Sequence, residues 1–216
     1  LIYDENPYLV ITNDGKLVWV LDGYTTSNYY PYSQKTNIDG KEINYIRNSV
    51  KVLIDAYDGT TKFYITDRTD PIIMAYRKAY KNLFEDLDEQ IPEDIMNHLV
   101  YPEYLYNIQA NILKRYHSIQ PDVLYRTDDV WDISTYSVSG SSNSSISPVQ
   151  SYYTMVKTVD NNENTLGLVI PYTVFGKQNI TSYLVGTYEN GSPNLKLYTF
   201  PDDSNVIGLI QLDTQI

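Results

Sequence analysis

Short apolar runs separated by turn residues dominate the first third of the chain. Tyr8 to Thr12 is closed by Asn13-Asp14-Gly15, and Leu17 to Leu21 follows as a second run. Asn and Asp tolerate positive φ and Gly favours it, so this pattern predicts a β-hairpin. Val50 to Tyr57, Asp58-Gly59 and Thr61 to Thr66 repeat the pattern with β-branched and aromatic residues, predicting a second hairpin. Between them, Tyr24 to Gly40 is polar, rich in tyrosine and broken by Pro31, which predicts a long ordered loop. Loops of that length in compact domains tend to carry function.

The period then changes. Asp70 before Pro71 is a strong helix start, and Ile72, Tyr76, Ala79, Tyr80 and Leu83 recur at helical spacing. Pro92-Glu93-Asp94 opens a short helix to about Leu99. Pro102-Glu103 opens a longer one with a stripe of Leu105, Ile108, Ile112 and Tyr116. Early acids in these helices suit the positive end of the helix dipole.

Ser134 to Pro148 holds eight serines and Gly140, which predicts a flexible loop or linker over residues 136–148. The organisation expected is a hairpin and helix-rich portion over 1–135 and a β-rich portion over 149–216, packed together as one domain. In the latter, Tyr152 to Val159 and Thr165 to Pro171 flank Asp160-Asn161-Asn162-Glu163-Asn164 as a third hairpin. Asn194 to Phe200 and Val206 to Leu212 read as strands, and Asn179 to Tyr188 fits helix or strand. The fold class is α+β, with antiparallel hairpins at both ends and about three helices between.

Composition narrows the function. The 216 residues carry 16 basic and 27 acidic side chains, a net charge of −11, so a nucleic-acid partner is not expected. There is no cysteine, which excludes disulfides and thiolate chemistry and suits an extracytoplasmic chain. No apolar run is long enough for a spanning helix, and the opening Leu1-Ile2-Tyr3-Asp4-Glu5 is neither an initiator Met nor a signal peptide, so the chain reads as an excised soluble fragment. Tyrosine is the anomaly, at 23 residues against 4 Phe and 2 Trp. Its ring and hydroxyl suit a wet core, a sugar-binding surface or a protein interface.

The candidate chemistry lies in Asp22 with Tyr24 and Asp55 with Tyr57, each acid sharing a strand face with its tyrosine. Were the two strands neighbours, both carboxylates could converge at one sheet end for glycoside chemistry or Ca²⁺ binding. The structural alternative is that acids at strand ends shape turns. Arg47, between the tyrosine-rich loop and a strand, could clamp a carboxylate or phosphate, or pair with an Asp of a hairpin. His98 and His117 have no partners at zinc-ligand spacing, and His117 suits a helix C-terminus. Glu85-Asp86-Leu87-Asp88-Glu89 lacks an EF-hand pattern and reads as a solvated helix end; Asp128-Asp129 and Asp202-Asp203 are equally generic. No phosphate loop, nucleophile elbow or His-Glu-x-x-His motif occurs, and no cofactor or metal is expected.

Several literal runs are more specific. They are Asn6 to Thr12 (NPYLVIT), Asp22 to Ser33 (DGYTTSNYYPYS), Asn44 to Tyr64 (NYIRNSVKVLIDAYDGTTKFY), Asp70 to Lys78 (DPIIMAYRK), Tyr101-Pro102-Glu103 and Gln109-Ala110. Through them the chain resembles uncharacterised protein family 0182, most closely from residue 6 to about 131. Later the pattern departs: the family's Pro-Phe-Thr-Pro stands here as Pro171-Tyr172-Thr173-Val174, its Gly-Arg as Gly176-Lys177, and its Gly-Pro as Gly208-Leu209.

The resemblance implies a piece of a large bacterial membrane protein, with spanning helices before an extensive soluble region on the outer face of the cytoplasmic membrane. It carries over no catalytic residue. The function expected is a noncatalytic extracytoplasmic domain in assembly or recognition of an envelope component. Its partners would be the membrane-spanning part of the same polypeptide, envelope glycan or another membrane protein. The alternatives are a cell-wall glycan hydrolase or transferase using Asp22 and Asp55, and a ligand-sensing domain of a transporter.

Overall fold

The computed structural model describes every residue except 39, 139–144, 158–163, 190, 202 and 215–216. The chain mixes helices with antiparallel sheets and divides into two compact units, Leu1–Leu105 and Tyr106–Ile216.

In the first unit, β1 (Ile2–Tyr3), β2 (Tyr8–Ile11) and β3 (Leu17–Ser27) lead to a small hairpin of β4 (Thr36–Ile38) and β5 (Lys41–Ile43), then to β6 (Tyr45–Asp55) and β7 (Thr61–Ile65). β1 and β2 share one edge of β3, and the main sheet runs β1-β3-β6-β7. The two hairpins of the sequence reading form as β2–β3 and β6–β7, with Gly15 and Gly59 at φ 81° and 76° in the turns. The predicted long loop is shorter. Tyr24 to Ser27 continue β3, and Thr36–Ile38 pairs with Lys41–Ile43 as β4–β5, which leaves residues 28–35 without regular structure.

α1 (Pro71–Ala79) starts as predicted, with Asp70 as N-cap and Pro71 in its first turn. Its packed side matches the predicted stripe only in part: Tyr76 packs on the core cluster together with Met74. Ile73 is the residue buried, against Val50, Val52 and Phe84, while Tyr80 and Leu83 lie beyond the helix end and are exposed. α2 is one turn, Glu93–Met96, shorter than expected.

α3 spans Glu103–Tyr116; Ile108 of the predicted stripe is buried, together with Tyr106 and Ala110, while Ile112 and Tyr116 are exposed. The second unit adds α4 (Pro121–Arg126), β8 (Trp131–Ile133), β9 (Thr135–Val138), β10 (Ser145–Pro148), β11 (Tyr152–Lys157), β12 (Asn164–Val174), β13 (Ile180–Glu189), β14 (Ser192–Thr199) and α5 (Leu209–Asp213). The ends of the Ser-rich stretch pair as β9 and β10, a correction to the linker reading; residues 139–144 lie outside the described residues. The third hairpin forms as β11–β12, with residues 160–163 of its expected turn also outside them. Asn179 to Tyr188 resolves as strand. Val206 to Leu212 does not: its second half enters α5.

The second sheet repeats the plan of the first. β11 and β8 share one edge of β12, as β2 and β1 share one edge of β3, and β12-β13-β14 follow as β3-β6-β7 do. The register slips by one residue at Gly23/Tyr24 in the first sheet and at Tyr172/Thr173 in the second. Tyr24 and Tyr172 are both fully buried beside these bulges. Tyr172 donates to the carbonyl of Ala110 at 2.8 Å and Tyr106 to that of Leu184 at 2.8 Å, so phenols supply part of the polar bonding of this core.

Candidate functional site

β3 and β6 are neighbours, the condition under which the two aspartates were to converge. They run antiparallel, however, and the register sets Asp22 opposite Lys51 but Asp55 opposite Val18. Four residues along a strand is about 13 Å, too far for two carboxylates to act on one glycosidic bond. The two acids also have different work. Asp55 Oδ1 accepts from the backbone N–H of Tyr57 at 2.8 Å and of Asp58 at 3.3 Å, which shapes the β6–β7 turn, and the Tyr57 ring stands in solvent.

Asp22 is buried. Its Oδ1 takes a hydrogen bond from the Lys51 ammonium, itself fully buried, and one from Asn48 Nδ2 at 2.8 Å. Burial pushes the Asp22 carboxyl up, against the opposing pull of Lys51 and Asn48. On the same strand face Tyr24 donates to Asp4 Oδ2 at 2.9 Å and packs its ring against Tyr104, with centroids 5.4 Å apart. Burial, then the charges of Asp22 and Asp4, push the Tyr24 phenol far above its ordinary value. This phenol stays protonated at neutral pH and donates to Asp4.

A second buried node lies on the opposite face of the sheet. The bulge in β6 turns Ser49 toward α1, where Asp70 receives four hydrogen bonds. Asp70 Oδ2 accepts from Thr25 Oγ1 and, at 2.5 Å, from Ser49 Oγ. Asp70 Oδ1 accepts from Tyr45 OH at 2.9 Å and from the N–H of Ile72 at 3.0 Å. Burial alone would raise the Asp70 carboxyl, but the donors from Ser49, Thr25, Ile72 and Tyr45 outweigh it and hold it below its ordinary range. Burial, followed by the Asp70 hydrogen bond, pushes the Tyr45 phenol up to about 12.

Arg47 pairs internally, with Asp67 at 3.1 Å and Thr69 Oγ1 at 3.0 Å, and its guanidinium lies 6.0 Å from the centre of the Tyr45 ring. His98 Nδ1 lies 2.6 Å from the Asp94 carbonyl. His117 stacks on Trp131 at 3.6 Å, with Nε2 3.2 Å from Asp129. The acidic run 85–89 is not a helix end; Glu85 and Glu89 lie 3.9 and 3.2 Å from Lys62, and Asp86 lies 3.6 Å from Arg77. Among the described residues no group of three acidic or imidazole side chains gathers as a metal site would need, and Asp202 lies outside them. A shallow cleft of about 340 Å³ is lined by Met74, Arg77, Lys78 and Lys81. Arg77 and Lys78 sit in the last turn of α1, where cations offset the helix dipole.

One exposed loop is rich in aromatic side chains. In residues 28–35 the Asn44 side chain acts as a clamp: its Oδ1 accepts from the N–H of Tyr30 at 3.0 Å, and its Nδ2 donates to the carbonyls of Tyr30 at 2.7 Å and Ser33 at 3.3 Å. Ser33 Oγ donates to the Asn44 carbonyl at 3.0 Å. Tyr30 stacks on Tyr45 at 5.5 Å, while the rings of Tyr29 and Tyr32 are 89% and 109% exposed. Tyr32 has φ 59° directly after Pro31, the pattern of a type II turn whose third residue is normally Gly or Asn. A bulky L-residue in the left-handed region costs about 1–2 kcal/mol, and nothing that the Tyr32 ring touches within the fold recovers it.

Lys51, the hydroxyls of Thr25 and Ser49 that gather on Asp70, and the Tyr29/Tyr32 pair were not singled out from sequence. A lysine inside the run Val50-Lys51-Val52-Leu53-Ile54 was the available signal, because a charge in a buried strand requires a partner. Tyr after Pro31, where a turn favours glycine, was the other.

These features define a mixed α and β protein in which Asp22, Lys51 and Asp70 are buried and bonded within the fold, and in which one exposed loop carries several tyrosines. The chain belongs to the Uncharacterised protein family UPF0182, whose model matches residues 1–216. It is 44% identical over 215 residues to a UPF0182 protein of Caldicellulosiruptor saccharolyticus, a match covering 99% of this chain and 23% of that relative. UPF0182 proteins of Desulfitobacterium hafniense and Microcystis aeruginosa match at 38% and 40% identity over 222 residues each, covering all of this chain and 22% of either relative. The chain thus spans less than a quarter of the length of these curated relatives. No solved structure matches it. Among the described residues no helix is long and apolar enough to cross a membrane.

Proposed function

We propose that the chain is a noncatalytic domain in the extracytoplasmic part of an integral membrane protein, and that it serves in recognition or assembly of a cell-envelope component. The observation that carries this reading is the division of labour between inside and outside. Asp22, Tyr24, Arg47 and Asp55 are committed to bonds within the fold, and the clamped loop at 28–35 turns its tyrosines to solvent. Binding needs a preorganised surface of this kind, whereas catalysis needs polar groups left available to a substrate. Glycan cleavage by Asp22 and Asp55 is disfavoured by their separation in the register. The acidic, cysteine-free composition suits an address outside the cytoplasm, and the remaining three quarters of the relatives' length leave room for membrane-spanning segments.

The absence of cysteine supplies the test. Tyr29→Cys, introduced into the full-length protein on a background cleared of other cysteines, should react with a membrane-impermeant maleimide added to protoplasts as fully as after lysis. Labelling only after lysis would overturn the extracytoplasmic reading.

A further inference from the structure

We infer that the turn bearing Tyr29 and Tyr32 is a glycan-binding surface, with both rings stacking on the pyranose faces of an uncharged envelope polysaccharide. The inference rests on the recognition reading above and gives it a ligand class.

Three observations carry it. First, the loop is built. Asn44 fixes both ends of the turn through three side-chain hydrogen bonds, and Tyr30 is seated on Tyr45, which is anchored to the buried Asp70. Little conformational freedom is left to lose on binding, and tyrosine adds rigid area with few rotatable bonds. Second, Tyr32 holds a left-handed backbone position that glycine would fill without strain, yet its ring meets nothing in the fold. A local rule broken in this way, without a packing reason, marks a functional position.

Third, the chemistry of the loop selects the ligand. Residues 28–35 read Asn-Tyr-Tyr-Pro-Tyr-Ser-Gln-Lys, with no Leu, Ile, Val, Met, Phe or Trp side chain to enter hydrocarbon. The net charge of −11 opposes an anionic lipid surface. A protein partner would need roughly 800 Å² on each side, more than one small turn presents. A pyranose ring offers an apolar C–H face rimmed by hydroxyls, which matches a phenol ring with its own hydroxyl edge.

The test is calorimetric titration of the 216-residue chain with a β-1,4-linked N-acetylglucosamine hexamer. The variants are Tyr29→Ser combined with Tyr32→Gly, and Tyr125→Ser, which removes an exposed ring from the other unit. Glycine at position 32 suits the left-handed backbone, so the double variant should keep its fold and melting profile. The wild type and Tyr125→Ser should bind alike, and the double variant should bind at least about tenfold more weakly, the effect expected for losing stacked rings.

Equal affinity in the double variant would overturn the inference while leaving the recognition reading intact. Absence of wild-type binding, or loop-dependent binding to phosphatidylglycerol vesicles in place of the hexamer, would also overturn it. The maleimide experiment judges the recognition domain's address separately, since it involves no glycan.

Discussion

Replacing Lys51 by methionine should destabilise the first unit by about 3–5 kcal/mol, the range seen when one partner of a buried ion pair is removed. The reason is the state in which Asp22 is left. Its carboxylate is 4% exposed and, once the ammonium is gone, retains the Asn48 amide as a donor but no longer has that buried cation beside it. Burial already pushes the Asp22 carboxyl up, and loss of the neighbouring positive charge pushes it further. An acid whose folded pKa is raised binds more protons folded than unfolded, so stability rises as pH falls through the folded value toward the ordinary value of 3.8. The deficit of Lys51→Met should therefore shrink in mild acid. The double variant Asp22→Leu/Lys51→Met removes both charges and should return near the wild-type stability or exceed it by about 1–4 kcal/mol. Urea unfolding followed by Trp19, with Trp131→Phe as background, reads the first unit alone. A single variant as stable as the wild type would remove the structural role assigned to this pair.

Asp70→Ala should cost the same unit roughly 3–5 kcal/mol, by adding the loss of a helix N-cap to buried donors left without an acceptor. Three hydroxyls, of Thr25, Ser49 and Tyr45, converge on that carboxylate together with the N–H of Ile72. Thr25 and Ser49 lie 3.4 Å apart and can bond to each other, which recovers part of the loss. Asp70→Asn should be milder, retaining one oxygen for the helix but turning an amide donor toward the hydroxyls. The pH dependence has a defined sign. Because the native Asp70 carboxyl is held below 3.8, its contribution is fully present above that value and disappears as pH falls through the lower native one. The gap between wild type and Asp70→Asn should close over that acid interval, through loss in the wild type. A gap unchanged down to pH 2 would contradict the network.

Turn chemistry made the hairpins legible, because Asn13-Asp14-Gly15 and Asp58-Gly59 specify their turns locally, as Asp70-Pro71 does for α1. What the sequence concealed depends on pairing between distant residues. That β3 lies against β6, in a register separating Asp22 from Asp55, is decided by pairing between two strands linked through residues 28–44. The hydroxyls that gather on Asp70 come from positions 25, 45 and 49 and share no local pattern. Short apolar runs fit either period, which explains why Val206 to Leu212 read as a strand although α5 begins at Leu209. On α1 Ile73 is buried and Met74 and Tyr76 pack beside it, so of the stripe drawn through Ile72, Tyr76, Ala79, Tyr80 and Leu83 only the Tyr76 position meets the core cluster. Serine-rich composition likewise hid the β9–β10 pairing, whose bonds are made by backbone.

Backbone hydrogen exchange of the 216-residue chain, with and without the N-acetylglucosamine hexamer and with parallel measurement of reducing ends, tests the central claim of binding without catalysis most directly. Slower exchange confined to residues 28–35, including the Tyr30 N–H that rests on Asn44, and an oligosaccharide recovered intact are the expected results. An unchanged loop, protection elsewhere in the chain, or new reducing ends released from the hexamer would contradict it.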